Sequence, residues 1–173
     1  MTIFLLFISL LIIQRLSELL LARRNERAVR AMGAREYDSG GYRTIVLMHA
    51  AFFVSLAAEF FLLRRTVNPY WPVLLTVFAL SQALRYWAIT SLGIFWNTKI
   101  LAVPGAGIVK SGPYKYLKHP NYVAVAVEIA VIPLLFSCYI TFVLFSALNL
   151  LALRRRIKIE ESLIYGTPTE LDP

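Results

Sequence analysis

Long apolar stretches separated by short basic clusters limit the fold of this chain more than any other feature. Met1 to about Ala22, Thr44 to Leu63, Tyr70 to Leu92 and Tyr122 to about Leu153 are almost wholly apolar. In a bilayer the backbone must satisfy its own hydrogen bonds, so stretches of this kind cross as helices or as a closed barrel. Runs of about 20 residues match a spanning helix, whereas a spanning strand needs about half that. With 58% hydrophobic residues in a chain of 173, a soluble domain of this size is excluded. The expected fold is all-α, a polytopic integral membrane protein.

The last apolar stretch is too long for one span and suits two short helices in a tight hairpin, interrupted near Pro133 and Ser137-Cys138-Tyr139. The chain is therefore read as one domain, 1–173, with about five spans. These are placed at 1–22, 44–63, 70–92, 121–136 and 138–154, with a loop at 93–120 and a tail at 155–173. The first span has neither a charged leader nor a small-residue cleavage site and reads as a retained helix. The first part of the polar stretch after Ala22 can continue the helix, and Gly40-Gly41 is expected to break it.

The net charge of +8 sits in clusters between apolar runs, which argues for membrane topology and against nucleic acid as a partner. Arg23, Arg24, Arg27, Arg30, Arg35 and Arg43 crowd the first loop, while the second offers Arg64 and Arg65. Lys99, Lys110, Lys115 and Lys118 follow in the third, and Arg154, Arg155, Arg156 and Lys158 in the tail. The positive-inside rule puts the first loop, the third loop and the tail in the cytoplasm and the N-terminus outside, in a multi-pass protein of the plasma membrane. Membrane lipids are the expected surroundings. The lone cysteine, Cys138, excludes an intrachain disulfide and a cysteine metal cluster, and no metal site is expected.

Polar residues inside the spans are costly and need partners. Arg15 and Glu18, three apart, are expected to pair on one helix face. Gln82 and Arg85 repeat that spacing, Glu59 and Glu128 stand singly, and His49 reads as hydrogen-bonded packing.

Gly107 to Tyr122, GIVKSGPYKYLKHPNY, departs from this pattern. Its glycines and prolines exclude a regular helix and imply a shaped loop. Lysines keep it near water, and Tyr114, Tyr116 and Tyr122 offer flat faces with hydroxyl tips. On residue types alone, such a loop either holds a polar, ring-bearing ligand beside lipid or anchors the chain at the headgroups. The hairpin would bring its end, His119 to Tyr122, beside Arg154 to Glu161. There Arg156 and Glu160 share a helix face, as an i,i+4 pair or as part of a site.

Gly112-Pro113-Tyr114, then His119-Pro120-Asn121-Tyr122 at the mouth of an apolar run, then Arg156 and Glu160-Glu161 after the last span resemble the isoprenylcysteine carboxyl methyltransferase family. Lys118 stands where the family has arginine, and Ala124 where glycine is common. The likeness implies an S-adenosylmethionine-dependent methyltransferase of the compact bacterial branch. By that likeness Arg156 is the catalytic, substrate-contacting residue. The cofactor contacts fall on Gly107, Ile108, Val109, Lys110, Gly112, Tyr114, His119, Pro120, Asn121, Tyr122 and Glu160. The implied acceptor is a lipophilic small molecule or lipidated substrate, methylated on oxygen: a carboxylate, enol or phenol of a prenyl or long-chain polyketide lipid. The chain lacks the Phe-Gly-Glu-Glu-Tyr extension of many relatives, which leaves open what closes the cofactor pocket.

Two other readings stand beside this one. Glu128, six residues after Tyr122, suits an NADPH-dependent membrane reductase of the sterol and steroid type. A non-catalytic scaffold would use the loop only as an anchor.

Overall fold

The computed structural model describes residues 1–165. The end of the predicted tail, including Gly166-Thr167, lies outside the described residues. Five α-helices make up most of it: α1 (Thr2–Ala31), α2 (Ser39–Leu62), α3 (Trp71–Leu92), α4 (Pro120–Leu135) and α5 (Tyr139–Tyr165). The chain is an all-α membrane protein, in which α1, α2 and α3 are long and apolar enough to cross a bilayer.

One sequence expectation fails at the start of α2. Gly40 and Gly41 do not break a helix; they form its first turn. Asp38 adopts a left-handed backbone (φ 53°) and its carboxylate accepts from the Gly41 amide at 3.1 Å, which caps the helix and starts it at Ser39. A Cβ at Gly41 would lie 1.9 Å from that carboxylate, so glycine is what lets the cap approach. A second difference is a two-stranded antiparallel ladder, β1 (Arg35–Tyr37) with β2 (Ile100–Ala102), which ties the first loop to the third. Three-residue strands are too short to show an alternating pattern in sequence.

The hairpin of α4 and α5 turns through Phe136–Cys138, with Ser137 in the left-handed region (φ 55°) and the Cys138 amide donating to Pro133 O at 2.8 Å. Glu59 of α2 receives the start of α5. Its carboxylate accepts from the Ile140 and Thr141 amides at 3.2 and 2.7 Å, and from Arg65 at 3.0 Å. A carboxylate from a neighbouring helix thus satisfies amides that the helix start leaves unpaired. Around the turn, Phe4 stacks on Phe60 with ring centroids 3.9 Å apart, and Phe136 meets both edge-on. Cys138 is a fully buried member of this core. Lipid is as apolar as these rings, so close packing rather than water exclusion holds the helices together here.

The polar pairs within the spans converge on Glu128. Its carboxylate accepts from Arg85 at 2.5 and 2.7 Å, from Arg15 at 2.6 Å and from Gln82 at 2.6 Å. Glu18 accepts from Arg15 at 2.5 Å and Arg85 at 3.3 Å, while Gln14 bridges Gln82 and Glu18. Two arginines and two glutamates balance, and every charge has a partner, the condition for keeping ions at membrane depth. The network ties α1, α3 and α4 together. His49 donates from Nδ1 to the Ile45 carbonyl at 2.8 Å, as the packing reading expects.

Candidate functional site

Local chemistry dictates how the site starts. Pro120 opens α4, where its missing amide costs nothing because the first turn has no acceptor for it. His119 therefore stands just outside the helix, and Tyr122 lies within its first turn. Because α5 runs on to Tyr165, it carries Arg156 and Glu160 past the hairpin and back beside the start of α4.

These four side chains meet. The Tyr122 hydroxyl donates a short hydrogen bond to Glu160 and accepts one from Arg156 Nε at 2.7 Å. Arg156 Nε is also 3.4 Å from the same carboxylate oxygen. His119 stacks on Tyr122, centroids 5.3 Å apart and planes within 13°, and its Nδ1 lies 3.5 Å from the other oxygen of Glu160. Its Nε2 is 3.5 Å from Glu161. Lys118 and Glu161 are 3.4 Å apart.

Electrostatics follow from these contacts. The contact with Glu160 holds the His119 imidazolium above its ordinary range, against burial, which favours the neutral ring. Burial pushes the Glu160 carboxyl up, but His119, Tyr122 and Arg156 outweigh it and keep the group ionised below the usual carboxylate range. Tyr114 is pushed well up by burial and then by the Glu160 charge, so its phenol stays neutral and able to donate.

A cavity of about 770 Å³ opens beside this cluster. Such a volume suits a ligand of cofactor size. One wall carries Tyr114, His119, Asn121, Tyr122 and Glu160; Gly107, Ile108, Val109 and Lys110 continue the lining. Three sequence-predicted residues do not line it. Gly112 (φ 55°) packs on α3, where a Cβ would lie 1.9 Å from Ser91 Oγ. Pro120 is fully buried beneath the helix start. Arg156 instead lines a separate small cavity of about 30 Å³ between α2 and α5, with Asp38, Gly41, Thr44, Ile45, Ala152 and Arg155. Tyr116 is exposed, and Glu128 is spent in the ion network.

The rest of the lining was not expected from sequence. It consists of Trp96, Asn97, Lys99, the strand β2 and, from α1, Val29. Asn25 of α1 fixes its backbone, donating to the carbonyls of Gly93 and Trp96 at 3.1 and 2.8 Å, and Asn97 donates back to Ala22 O at 3.0 Å. Two asparagines at the polar edges of helices are the only sequence trace of this contact.

Two buried polar atoms of wall residues have no hydrogen-bond partner among the described residues, Trp96 Nε1 and Asn121 Oδ1, while His119 Nε2 has only its long contact with Glu161 at 3.5 Å. Buried polar atoms are seldom left so. A donor, an imidazole and an acceptor, lining the same cavity as the Glu160 carboxylate, fit a ligand bearing carboxylate, amino and hydroxyl groups together. S-adenosylmethionine is such a ligand.

The isoprenylcysteine carboxyl methyltransferase family model matches residues 73–165. The chain is 47% identical over 158 residues to "Uncharacterized protein YpbQ" of Bacillus subtilis (strain 168), covering 91% of this chain and 94% of that protein. It is 28% identical over 149 residues to an "Uncharacterized protein" of Haemophilus influenzae, covering 86% and 87%. No solved structure matches.

Proposed function

Since the chain belongs to the isoprenylcysteine carboxyl methyltransferase family of integral-membrane methyltransferases, we propose that it O-methylates a lipophilic acceptor from S-adenosylmethionine at the cytoplasmic membrane face. The observation that carries this reading is the meeting of Tyr122 with Glu160 and Arg156, which joins the loop motif to the tail motif beside a cofactor-sized cavity.

When bound, S-adenosylmethionine supplies a methyl group already activated on a sulfonium. The chain's own task is then proximity and orientation. Glu160 accepts hydrogen bonds from an amino group or ribose hydroxyl, and Asn121 Oδ1 offers a further acceptor. Amides of the loop from Gly107 to Lys110, with Trp96 Nε1, can receive the carboxylate. His119, whose contact with Glu160 favours the charged ring, stacks on Tyr122 and fixes its ring.

Arg156 serves the acceptor. Its Nε is taken by Tyr122, but among the described residues no acceptor holds its two terminal nitrogens, and it lines the small cavity between α2 and α5. A carboxylate, enolate or phenolate oxygen arriving from the bilayer is a partner of the right charge. An acceptor that arrives ionised needs no separate base. Long-chain phenols and enols are favoured over a prenylated protein, in keeping with the likeness to the compact bacterial branch.

Glu128 offers the reductase reading no support, since Arg15, Gln82 and Arg85 occupy its carboxylate. The test is titration calorimetry of the protein in lipid nanodiscs with S-adenosylhomocysteine and, separately, NADPH. Saturable binding of the first alone is expected. Binding of NADPH alone, or of neither by folded protein, overturns the proposal.

A further inference from the structure

The family match begins at residue 73, yet one wall of the cavity depends on residues that precede it. Lys99 Nζ is held by Glu26 of α1 at 2.9 Å and by Glu36 of β1 at 3.3 Å. Arg30 closes the ring, donating to Glu26 at 2.9 Å and to Glu36. Lys99 lies next to β2, which lines the cavity, and Leu101 of that strand pairs with Glu36 in the ladder. The four charges balance, and each cation touches both carboxylates. Lys99 is also 5.7 Å from the ring of Tyr42 on α2.

We propose that Glu26, Arg30, Glu36 and Lys99 form an ionic clasp that closes the cofactor cavity, making the tail of α1 and the first loop part of the cofactor site. This rests on the reading that the cavity takes S-adenosylmethionine. Glu26, Glu36 and Lys99 are positioning residues: they hold Trp96 to Val103 in the cavity lining rather than touch the ligand.

The geometry favours a clasp over a direct ligand role for Lys99. Both carboxylates already occupy its ammonium, and Glu26 lies below its ordinary range: burial works against ionisation, but Lys99 and Arg30 outweigh it. Withdrawing Lys99 to serve a ligand would leave Glu26 and Glu36 with Arg30 alone. The side chains of Glu26, Glu36 and Lys99 are about a fifth exposed, at 18%, 21% and 24%, so salt can reach and weaken the cluster.

The test uses full-length protein in nanodiscs and S-adenosylhomocysteine as probe. Lys99→Met and Glu36→Gln should each weaken binding about tenfold, and the double variant no further, because residues of one network are not additive. Lys99→Arg should restore binding to within about twofold, and 1 M salt should weaken the wild type more than Lys99→Met. In the ligand-free protein, amide exchange over residues 99–106 should rise in both single variants. If Lys99 contacts the ligand itself, freeing it with Glu36→Gln leaves binding unchanged or tighter while Lys99→Met weakens it, and that result overturns the clasp. Wild-type binding with unaffected variants overturns this inference alone. A wild type that binds no S-adenosylhomocysteine overturns the reading of the cavity, and the clasp's role in it as well.

Discussion

The Tyr122 hydroxyl donates to Glu160 across 38 residues of sequence, and this one contact turns a loop and a helix end into a single site. Arg156 Nε donates to the same hydroxyl and lies 3.4 Å from the same carboxylate oxygen, so the carboxylate lining the large cavity and the guanidinium lining the small one share one phenol. A phenol that accepts from a cation while donating to an anion polarises both bonds.

Glu160→Gln should weaken S-adenosylhomocysteine binding by about 10- to 100-fold, since it removes the carboxylate bonded to Tyr122, leaves Arg156 without its countercharge and leaves His119 with Glu161 alone. Calorimetry on folded, membrane-inserted protein checks it. Unchanged affinity would remove Glu160 from the cofactor site.

Arg156 should behave differently. Arg156→Lys keeps charge but loses the planar fork and the Nε donor to Tyr122. Because Arg156 does not line the large cavity, affinity for S-adenosylhomocysteine should change less than about threefold. Methyl transfer from labelled S-adenosylmethionine to an alkylresorcinol should fall at least about tenfold. A loss of cofactor affinity equal to that of Glu160→Gln would assign Arg156 to the cofactor instead.

The stability of the cluster should depend on pH in a defined sense. Folding raises His119, so the stability it contributes is complete below its unfolded value of about 6.5 and is lost as pH rises through the folded value. Glu160 is depressed, so its contribution is present above its unfolded value of about 4.3 and is lost only as pH falls through the lower, folded value. Thermal unfolding followed from pH 5 to 9 should decline on the alkaline side, and His119→Gln should flatten that limb. An alkaline limb of the same depth in the variant would assign it to another group.

Most of this architecture could be read from the chain because its signals are local. Spans declare themselves by length, and the hairpin by an apolar stretch too long for one helix. The pairing of Arg15 with Glu18 follows from spacing alone. What spacing cannot give is which helices face one another. Gln82 and Arg85 of α3 and Glu128 of α4 therefore read as separate oddities until the helices meet around one carboxylate. The same reason hides the wall from α1. Asn25 and Glu26 within α1, and Asn97 and Lys99 in the third loop, are ordinary residues there, and the contacts between α1 and that loop, with the ladder of β1 and β2, bring them together. The start of α2 misleads for a different cause: glycines usually end helices, but Asp38 makes Gly41 part of a cap.

The membrane network gives the sharpest test of how the fold is held. Glu128→Leu leaves Arg15 and Arg85 with only Glu18 as countercharge, and an uncompensated buried charge typically costs about 3–5 kcal/mol. The variant should unfold at markedly lower temperature or fail to insert. Adding Arg85→Met to Glu128→Leu removes the excess charge and should recover part of the loss, because a buried ion pair replaced whole by apolar side chains is far less harmful than one broken in half. In lipid the contrast should be at least as large, since no water reaches the orphaned guanidinium. Thermal unfolding of the wild type, both single variants and the double variant measures the coupling directly. A double variant less stable than Glu128→Leu alone would mean that Arg85 holds α3 in place through contacts other than Glu128, with Glu18 the one partner at hand.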